Sequence, residues 1–123
     1  MKAIVTPHES GALGPYSQGV FHNGMLFISG QVGLDYVTGY MPEDFKGQAE
    51  LVFKKIKDIL DAAGMSFTHV LKCTVYLKNL SDYQEMNEIY ARHFLAPYPA
   101  RETIQVVGLP KNARIEISVI ASK

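Results

Sequence analysis

The fold is decided by the stretch DFKGQAELVFKKIKDILDAAGMSFTHVLKCTVYL, from Asp44 to Leu77, which changes from a helical to a strand pattern. Its apolar residues first recur at helical spacing, which predicts a helix from about Asp44 to Ala63. Gly64 follows and suits the left-handed position that closes a helix. The predicted inner face holds Phe45, Ala49, Val52, Ile56, Ile59, Leu60 and Ala63, and the predicted outer face holds Lys54, Lys55, Lys57 and Asp58.

The second part of this stretch, Val70–Leu77, alternates as a strand does. Its predicted apolar row is Leu71, Cys73, Val75 and Leu77. Cys73 belongs to that row, so we interpret it as a buried structural thiol. A catalytic thiol would need an electropositive neighbour, and the sequence identifies none.

Further elements lie on both sides of this unit. Asn23-Gly24 favours a tight hairpin between the second and third predicted strands. Ser81 and Gln84 form a candidate capping box for a second helix, about Asp82 to Leu95, with an apolar stripe of Tyr83, Met86, Tyr90, Ala91 and Phe94. The remaining strands are predicted at Lys2–Val5, Gly19–His22, Met25–Gly30, Thr103–Val107 and Ala113–Ser122.

This order of strands, helix, strand, helix and strands predicts an α+β fold in which two helices cover one face of a sheet. Met25–Gly30 is apolar on both sides, and Ile120 points away from Ile115 and Ile117 on the last strand. Two helices cannot bury both faces. We therefore expect the uncovered face to drive self-association.

Composition predicts one domain over residues 1–123, with a mass of 13.7 kDa. Twelve basic and twelve acidic residues give zero net charge, which argues against nucleic acid as a partner.

The lone Cys73 excludes an internal disulfide and fits a reducing compartment. No apolar run is long enough for a signal peptide or a membrane span, so we expect a cytoplasmic protein. The histidines His8, His22, His69 and His93 have no metal-ligand spacing, so no metal is expected.

Pro99-Ala100-Arg101 is the strongest candidate for a ligand site. The proline restricts the backbone just before the arginine, and a guanidinium fork matches both oxygens of a carboxylate. The alternative is a surface arginine that caps a loop.

Each of the other candidates also has a structural alternative. Glu116 is either an outward strand residue paired with a charge such as Arg114, or a carboxylate near the site. Asn87 falls within the stripe of the second helix, where an amide makes either a structural hydrogen bond or a contact with a pocket. Tyr16 is an aromatic that packs on the sheet edge or a lid residue. Ser29 and Gly30 end a strand, where glycine permits a bend or the close approach of a ligand.

Five segments occur in an order that resembles the RidA/YjgF family of imine and enamine deaminases: Gly14-Pro15-Tyr16-Ser17-Gln18, Ser29-Gly30-Gln31, Pro99-Ala100-Arg101, Leu109-Pro110-Lys111 and Arg114-Ile115-Glu116-Ile117. The resemblance covers nearly the whole chain. It implies a chorismate-mutase-like fold, a homotrimer around a central barrel, and sites in the clefts between subunits. It also implies a small imino or enamino acid as substrate and no cofactor.

The resemblance assigns roles to the candidates. In this assignment Arg101 binds the substrate carboxylate, and Ser29 and Gly30 bind around the nitrogen. Glu116 and Tyr16 position the water and transfer its protons. Asn87 matches a position near the pocket. Two positions depart from the family pattern: Lys55 replaces a common asparagine, and Glu102 follows the arginine, which disfavours dicarboxylate substrates.

We therefore expect hydrolysis of 2-imino or 2-enamino acids to 2-oxo acids and ammonia. One alternative is an endoribonuclease acting on single-stranded RNA, against which the zero net charge argues. A second alternative is a non-catalytic module that binds 2-oxo acids through Arg101. Glu116 distinguishes the deaminase from the binding module, because a module that only binds a ligand has no evident use for this carboxylate.

Overall fold

The protein forms a mixed six-stranded sheet with two α-helices, in a computed structural model that describes residues 1–6 and 14–123. The strands are β1 Lys2–Ile4, β2 Gly19–His22, β3 Met25–Val32, β4 Val70–Leu77, β5 Ala100–Gln105 and β6 Ile115–Ser122, and the helices are α1 Phe45–Ala62 and α2 Tyr83–Ala91. The strand order is β1-β2-β3-β6-β4-β5, and only β4 and β5 among these strands pair in parallel. The predicted α+β fold is confirmed.

Both helices share one hydrophobic core with the same face of the sheet. The predicted first helix is confirmed to within a residue at each end. Asp44 caps it by accepting a hydrogen bond from the Gly47 N–H at 3.2 Å, and Gly64 has the expected positive φ of 71°. Neither helix of the described residues is long and apolar enough to cross a membrane.

The prediction that Lys55 faces outward is wrong. Lys55 is 4% exposed, and its ammonium donates to the carbonyls of Val32 and Leu34 at 3.1 and 2.8 Å. The ammonium also lies 3.9 Å from the centre of the Tyr36 ring. The buried face of α1 is wider than the predicted stripe, and a lysine is accommodated there because carbonyl oxygens replace its water.

The predicted row of β4 is correct for Cys73, Val75 and Leu77 and wrong for Leu71. Leu71 is 51% exposed, and Val70 is buried instead. The pairing register with β6 shifts between Val70 and Lys72, and this irregularity reverses the alternation at the start of the strand.

The second helix is shorter than predicted, and its N-terminus is not capped by the predicted capping box. A single 3₁₀ turn, Leu80–Asp82, precedes it, and it ends at Ala91 rather than Leu95. The Asp82 side chain makes no capping bond because it accepts from Arg114 at 2.9 Å. Tyr83 and Ala91 are exposed, while Ile89 is buried.

Two strand boundaries matter for the site. β5 begins at Ala100, three residues before the predicted start, because it follows β4 in parallel register from Lys72↔Ala100 onward. β3 continues past Gly30 to Val32 through a bulge between Ile28 and Gln31. The hairpin at Asn23-Gly24 is confirmed, with φ of 50° and 78°.

The other sheet face carries no helix among the described residues. Side chains alternate between the two faces along a strand, and paired residues on neighbouring strands point to the same face. These two rules place on the outer face Phe27, Thr74, Tyr76, Ile104 and Glu116. Phe27 and Ile104 are each 47% exposed. The expected uncovered face is therefore present, and Phe27 and Ile104 are exposed apolar residues on it.

Candidate active site

Arg101 is the second residue of β5, where the parallel register places it opposite Cys73 of the core. Its side chain therefore points to the helix-covered face and meets α2. There Nη2 donates to the Tyr83 hydroxyl at 3.2 Å, and Nη1 lies 3.8 Å from the Met86 sulfur. The guanidinium carbon is 4.8 Å from the centre of the Tyr90 ring. The arginine is thus held along α2, which excludes a role as a loop cap.

Arg101 opens into a pocket of about 310 Å³ lined by Asn87, Tyr90, Ala91, Tyr98, Pro99 and Arg101, which we call the Arg101 pocket. The structure thus brings together two of the predicted site residues, Arg101 and Asn87. The sequence pattern does not predict the aromatic wall. Tyr90 belongs to the predicted apolar stripe of α2, and its spacing alone cannot show that one ring serves both core and pocket.

Two titratable groups near Arg101, the Cys73 thiol and the Tyr90 phenol, have raised pKa values. Burial raises the pKa of the Cys73 thiol, which fits the predicted structural role. Burial also raises the pKa of the Tyr90 phenol. Both groups are therefore uncharged near neutrality, and Arg101 supplies the charge of the pocket.

Glu116 and Gly30 meet on the other face of the sheet. A Cβ atom on Gly30 would lie 2.3 Å from Oε2 of Glu116 and 2.7 Å from its carboxyl carbon. The absence of a side chain at position 30 therefore lets the carboxylate lie against the β3 backbone. Burial raises the pKa of the Glu116 carboxyl, which brings its protonated form closer to neutral pH.

Arg114 does not pair with Glu116, because its guanidinium binds both carboxylate oxygens of Asp82 at 2.9 and 3.2 Å. The structural alternative for Glu116 is therefore correct in placing it outward on β6 and wrong in naming Arg114 as its partner. A half-buried carboxyl without that cation suits proton transfer better than ion pairing.

Ser29 links this region to the loop that holds Tyr16. Its hydroxyl donates to the Ser17 carbonyl at 2.6 Å, and its N–H donates to the Gln18 carbonyl at 2.9 Å. Tyr16 is the neighbour of Ser17 and is 46% exposed. We call Tyr16, Ser29, Gly30 and Glu116 the Glu116 group.

The side chains of Arg101 and Glu116 lie on opposite faces of the sheet. Arg101 pairs with Cys73 on β4 and Glu116 pairs with Tyr76, so they are two strands and three residues apart. With standard strand spacing their Cα atoms are roughly 14 Å apart. One chain therefore does not bring the predicted clamp and the predicted acid–base group to the same substrate.

Glu102 lies on the face of the sheet opposite the Arg101 pocket. It pairs with Thr74 across the strands and forms an ion pair with Lys72 at 2.8 Å. Within one chain its carboxylate therefore does not face the Arg101 pocket, and the lower preference for dicarboxylates stays a prediction.

Within the described ranges, no group of three His, Cys, Asp or Glu side chains is arranged to hold a metal ion. His8 lies outside the described residues. The expected absence of a metal stays a prediction.

Comparison with known proteins agrees with these motifs. The family model described as endoribonuclease L-PSP matches residues 6–123. Reactive Intermediate Deaminase A, chloroplastic, of Arabidopsis thaliana is 44% identical over 122 residues, which are 98% of this chain and 65% of that protein, so the chain spans just under two thirds of it. The human 2-iminobutanoate/2-iminopropanoate deaminase is 41% identical over 121 residues, 98% of this chain and 88% of that one.

The fold has a counterpart of known structure. The crystal structure of E. coli TdcF with bound serine superposes with a TM-score of 0.93 at 39% identity, and the match covers 100% of this chain and 99% of that one. The family model and this structural match therefore agree over residues 6–123. The chain belongs to the RidA/YjgF family.

Proposed function

We propose that this protein is a deaminase that hydrolyses 2-imino and 2-enamino acids to 2-oxo acids and ammonia. The observation that carries the proposal is the Arg101 pocket, in which a guanidinium lies beside an amide and uncharged aromatic walls. The names of the plant and human relatives support the same reaction. The serine bound to the E. coli relative supports a small amino-acid-like ligand.

The site is assembled between subunits of a homotrimer. Arg101 of one subunit binds the substrate carboxylate with two donors, and the Glu116 group of its neighbour completes the site. The apolar outer face of the sheet, with Phe27 and Ile104 exposed, supports such an assembly. Each subunit is a single domain over residues 1–123, acting in the cytoplasm.

The reaction needs no cofactor in this proposal because a protonated C=N carbon is already electrophilic. Arg101 fixes that carbon, and Ser29 with the Gly30 backbone binds around the nitrogen. Glu116, aided by Tyr16, takes a proton from the attacking water and returns it to the departing amine. Positioned acid–base catalysis of this kind contributes roughly 10²–10⁴-fold.

The test is Arg101→Ala, assayed on a freshly generated 2-imino acid. Loss of a bidentate contact lowers kcat/KM by about 100-fold or more, since a charge-assisted contact is worth about 1.5–3 kcal/mol and upward for a pair. Arg101→Lys restores little, because a point charge does not reproduce the fork. Near-wild-type turnover by a folded Arg101→Ala protein overturns the proposal.

Arg92→Ala is the matched control, since Arg92 forms an exposed ion pair with Glu50 at 3.2 Å at the end of α2. It should leave turnover unchanged. The same preparations should be incubated with single-stranded RNA, because the family model carries an endoribonuclease description. RNA cleavage at physiological salt that survives Arg101→Ala would favour the ribonuclease alternative.

A further inference from the structure

Three residues on one face of α2 surround the Arg101 guanidinium. Tyr83, Met86 and Tyr90 are spaced three and then four residues apart, so they lie one above the other on the helix. Nη2 donates to the Tyr83 hydroxyl at 3.2 Å, Nη1 points to the Met86 sulfur at 3.8 Å, and the guanidinium carbon is 4.8 Å from the Tyr90 ring centre. All three partners are side chains of α2.

None of these partners carries a negative charge. Among the residues that the structure describes, no carboxylate lies within ion-pairing distance of Arg101, and its sequence neighbour Glu102 is paired with Lys72 on the other face. Arg114 is the contrast, because Asp82 occupies its guanidinium. A carboxylate beside Arg101 would compete with an anionic substrate, whereas a phenol oxygen and an aromatic ring orient the fork and leave its charge uncompensated.

We propose that Tyr83 is a positioning residue that orients Arg101 for the substrate carboxylate, a role that rests on the proposed function. The Tyr83 oxygen takes one N–H of Nη2, and its ring lies 5.7 Å from the guanidinium carbon. With one N–H of Nη2 on Tyr83 and one N–H of Nη1 on Met86, the remaining N–H groups of the guanidinium are left for the substrate carboxylate. Tyr83 does not touch substrate; it acts through the arginine.

The decisive variant is Tyr83→Phe, which removes one oxygen and keeps the ring. Tyr83 is exposed, so the change should leave the fold intact. KM for a 2-imino acid should rise about three- to tenfold and kcat should change less than about twofold, because the carboxylate contact exists in both the ground and the transition state. The Kd of a non-reacting 2-oxo acid, measured by calorimetry, should rise by the same factor.

A double-mutant cycle separates positioning from a structural role. In an Arg101→Ala background, Tyr83→Phe should change kcat/KM by less than about twofold, since the group through which it acts is gone. Tyr40→Phe, at an exposed turn, is the matched control and should leave KM and Kd unchanged. An equal loss from Tyr83→Phe in both backgrounds overturns the positioning role.

The outcomes also separate this inference from the proposed function. If the wild-type protein turns over imino acids and binds the 2-oxo acid, and Tyr83→Phe does both equally well, only the role of Tyr83 is wrong. If the wild-type protein does neither, the proposed function fails and this inference fails with it.

Discussion

At the scale of single residues, Gly30 is a position where one added carbon atom would displace the Glu116 carboxylate. An added Cβ would lie 2.3 Å from Oε2 of Glu116 and 3.1 Å from its Cγ, so the carboxylate must move. The contact is with a side chain rather than with backbone, so we expect the site to change more than the fold does.

Gly30→Ala should therefore lower kcat for imino-acid hydrolysis by about tenfold or more, the scale of a displaced acid–base group. The change in free energy of unfolding should stay below about 1.5 kcal/mol, within the usual range for single substitutions. Steady-state kinetics and urea denaturation measure the two quantities. Gly108→Ala is the matched control, because nothing lies within 4 Å of its added Cβ and its φ is not positive. Full activity of Gly30→Ala would remove Glu116 from the mechanism.

At the scale of elements, the buried side chain of Lys55 adds a polar link between α1 and the end of β3. The Lys55 ammonium binds the carbonyls of Val32 and Leu34. Val32 is the β3 residue that pairs with Glu116 on β6. The hydrogen bonds of Lys55 therefore stabilise the part of β3 that lies next to Glu116.

Lys55→Met should lower the free energy of unfolding by roughly 1–2 kcal/mol. Methionine fills similar volume, and the Val32 carbonyl keeps a hydrogen bond from the Leu34 N–H at 2.8 Å, but the Leu34 carbonyl loses the lysine donor. An unsatisfied buried acceptor costs about 1–3 kcal/mol, and the relief from burying a charge offsets part of that loss. Lys54→Met, one residue earlier, removes only an exposed pair with Asp58 and should change stability by less than about 0.5 kcal/mol. Chemical denaturation of both variants is the measurement. Equal stability of the two would mean that the buried ammonium is not needed.

At the scale of the whole molecule, the placement of Arg101 and Glu116 on opposite faces makes assembly testable by complementation. The proposed trimer has a mass of about 41 kDa, three times 13.7 kDa, by light scattering. Arg101→Ala and Glu116→Gln should each be inactive in this arrangement, since every site then lacks one partner.

Refolding an equal mixture of the two inactive variants should restore up to about a quarter of wild-type activity, because random mixing leaves that share of intersubunit sites intact. The control is the same protocol applied to each variant alone. A site built within one chain would give no recovery. A light-scattering mass of one chain, with full activity, would contradict the assembly.

Part of the local structure, and the candidate residues for chemistry, follow from the sequence alone. Helical periodicity defined α1 to within a residue, and Asn23-Gly24 defined the hairpin, because both depend on interactions between residues near in sequence. The rigid Pro99-Ala100-Arg101 segment indicates Arg101 as a candidate ligand-binding residue. The alternation of β6 places Glu116 outside the row of apolar residues.

Which side chains meet depends on contacts between residues that are distant in sequence. Lys55 is buried because β3 supplies carbonyls, and Leu71 is exposed because β6 shifts the register of β4. Arg101 faces α2 because parallel pairing with β4 sets its side, and no periodicity within Ala100–Gln105 encodes that partner. The physical reason is the same in each case: burial and pairing depend on residues distant in sequence, and a shift of one residue in a strand exchanges its two faces.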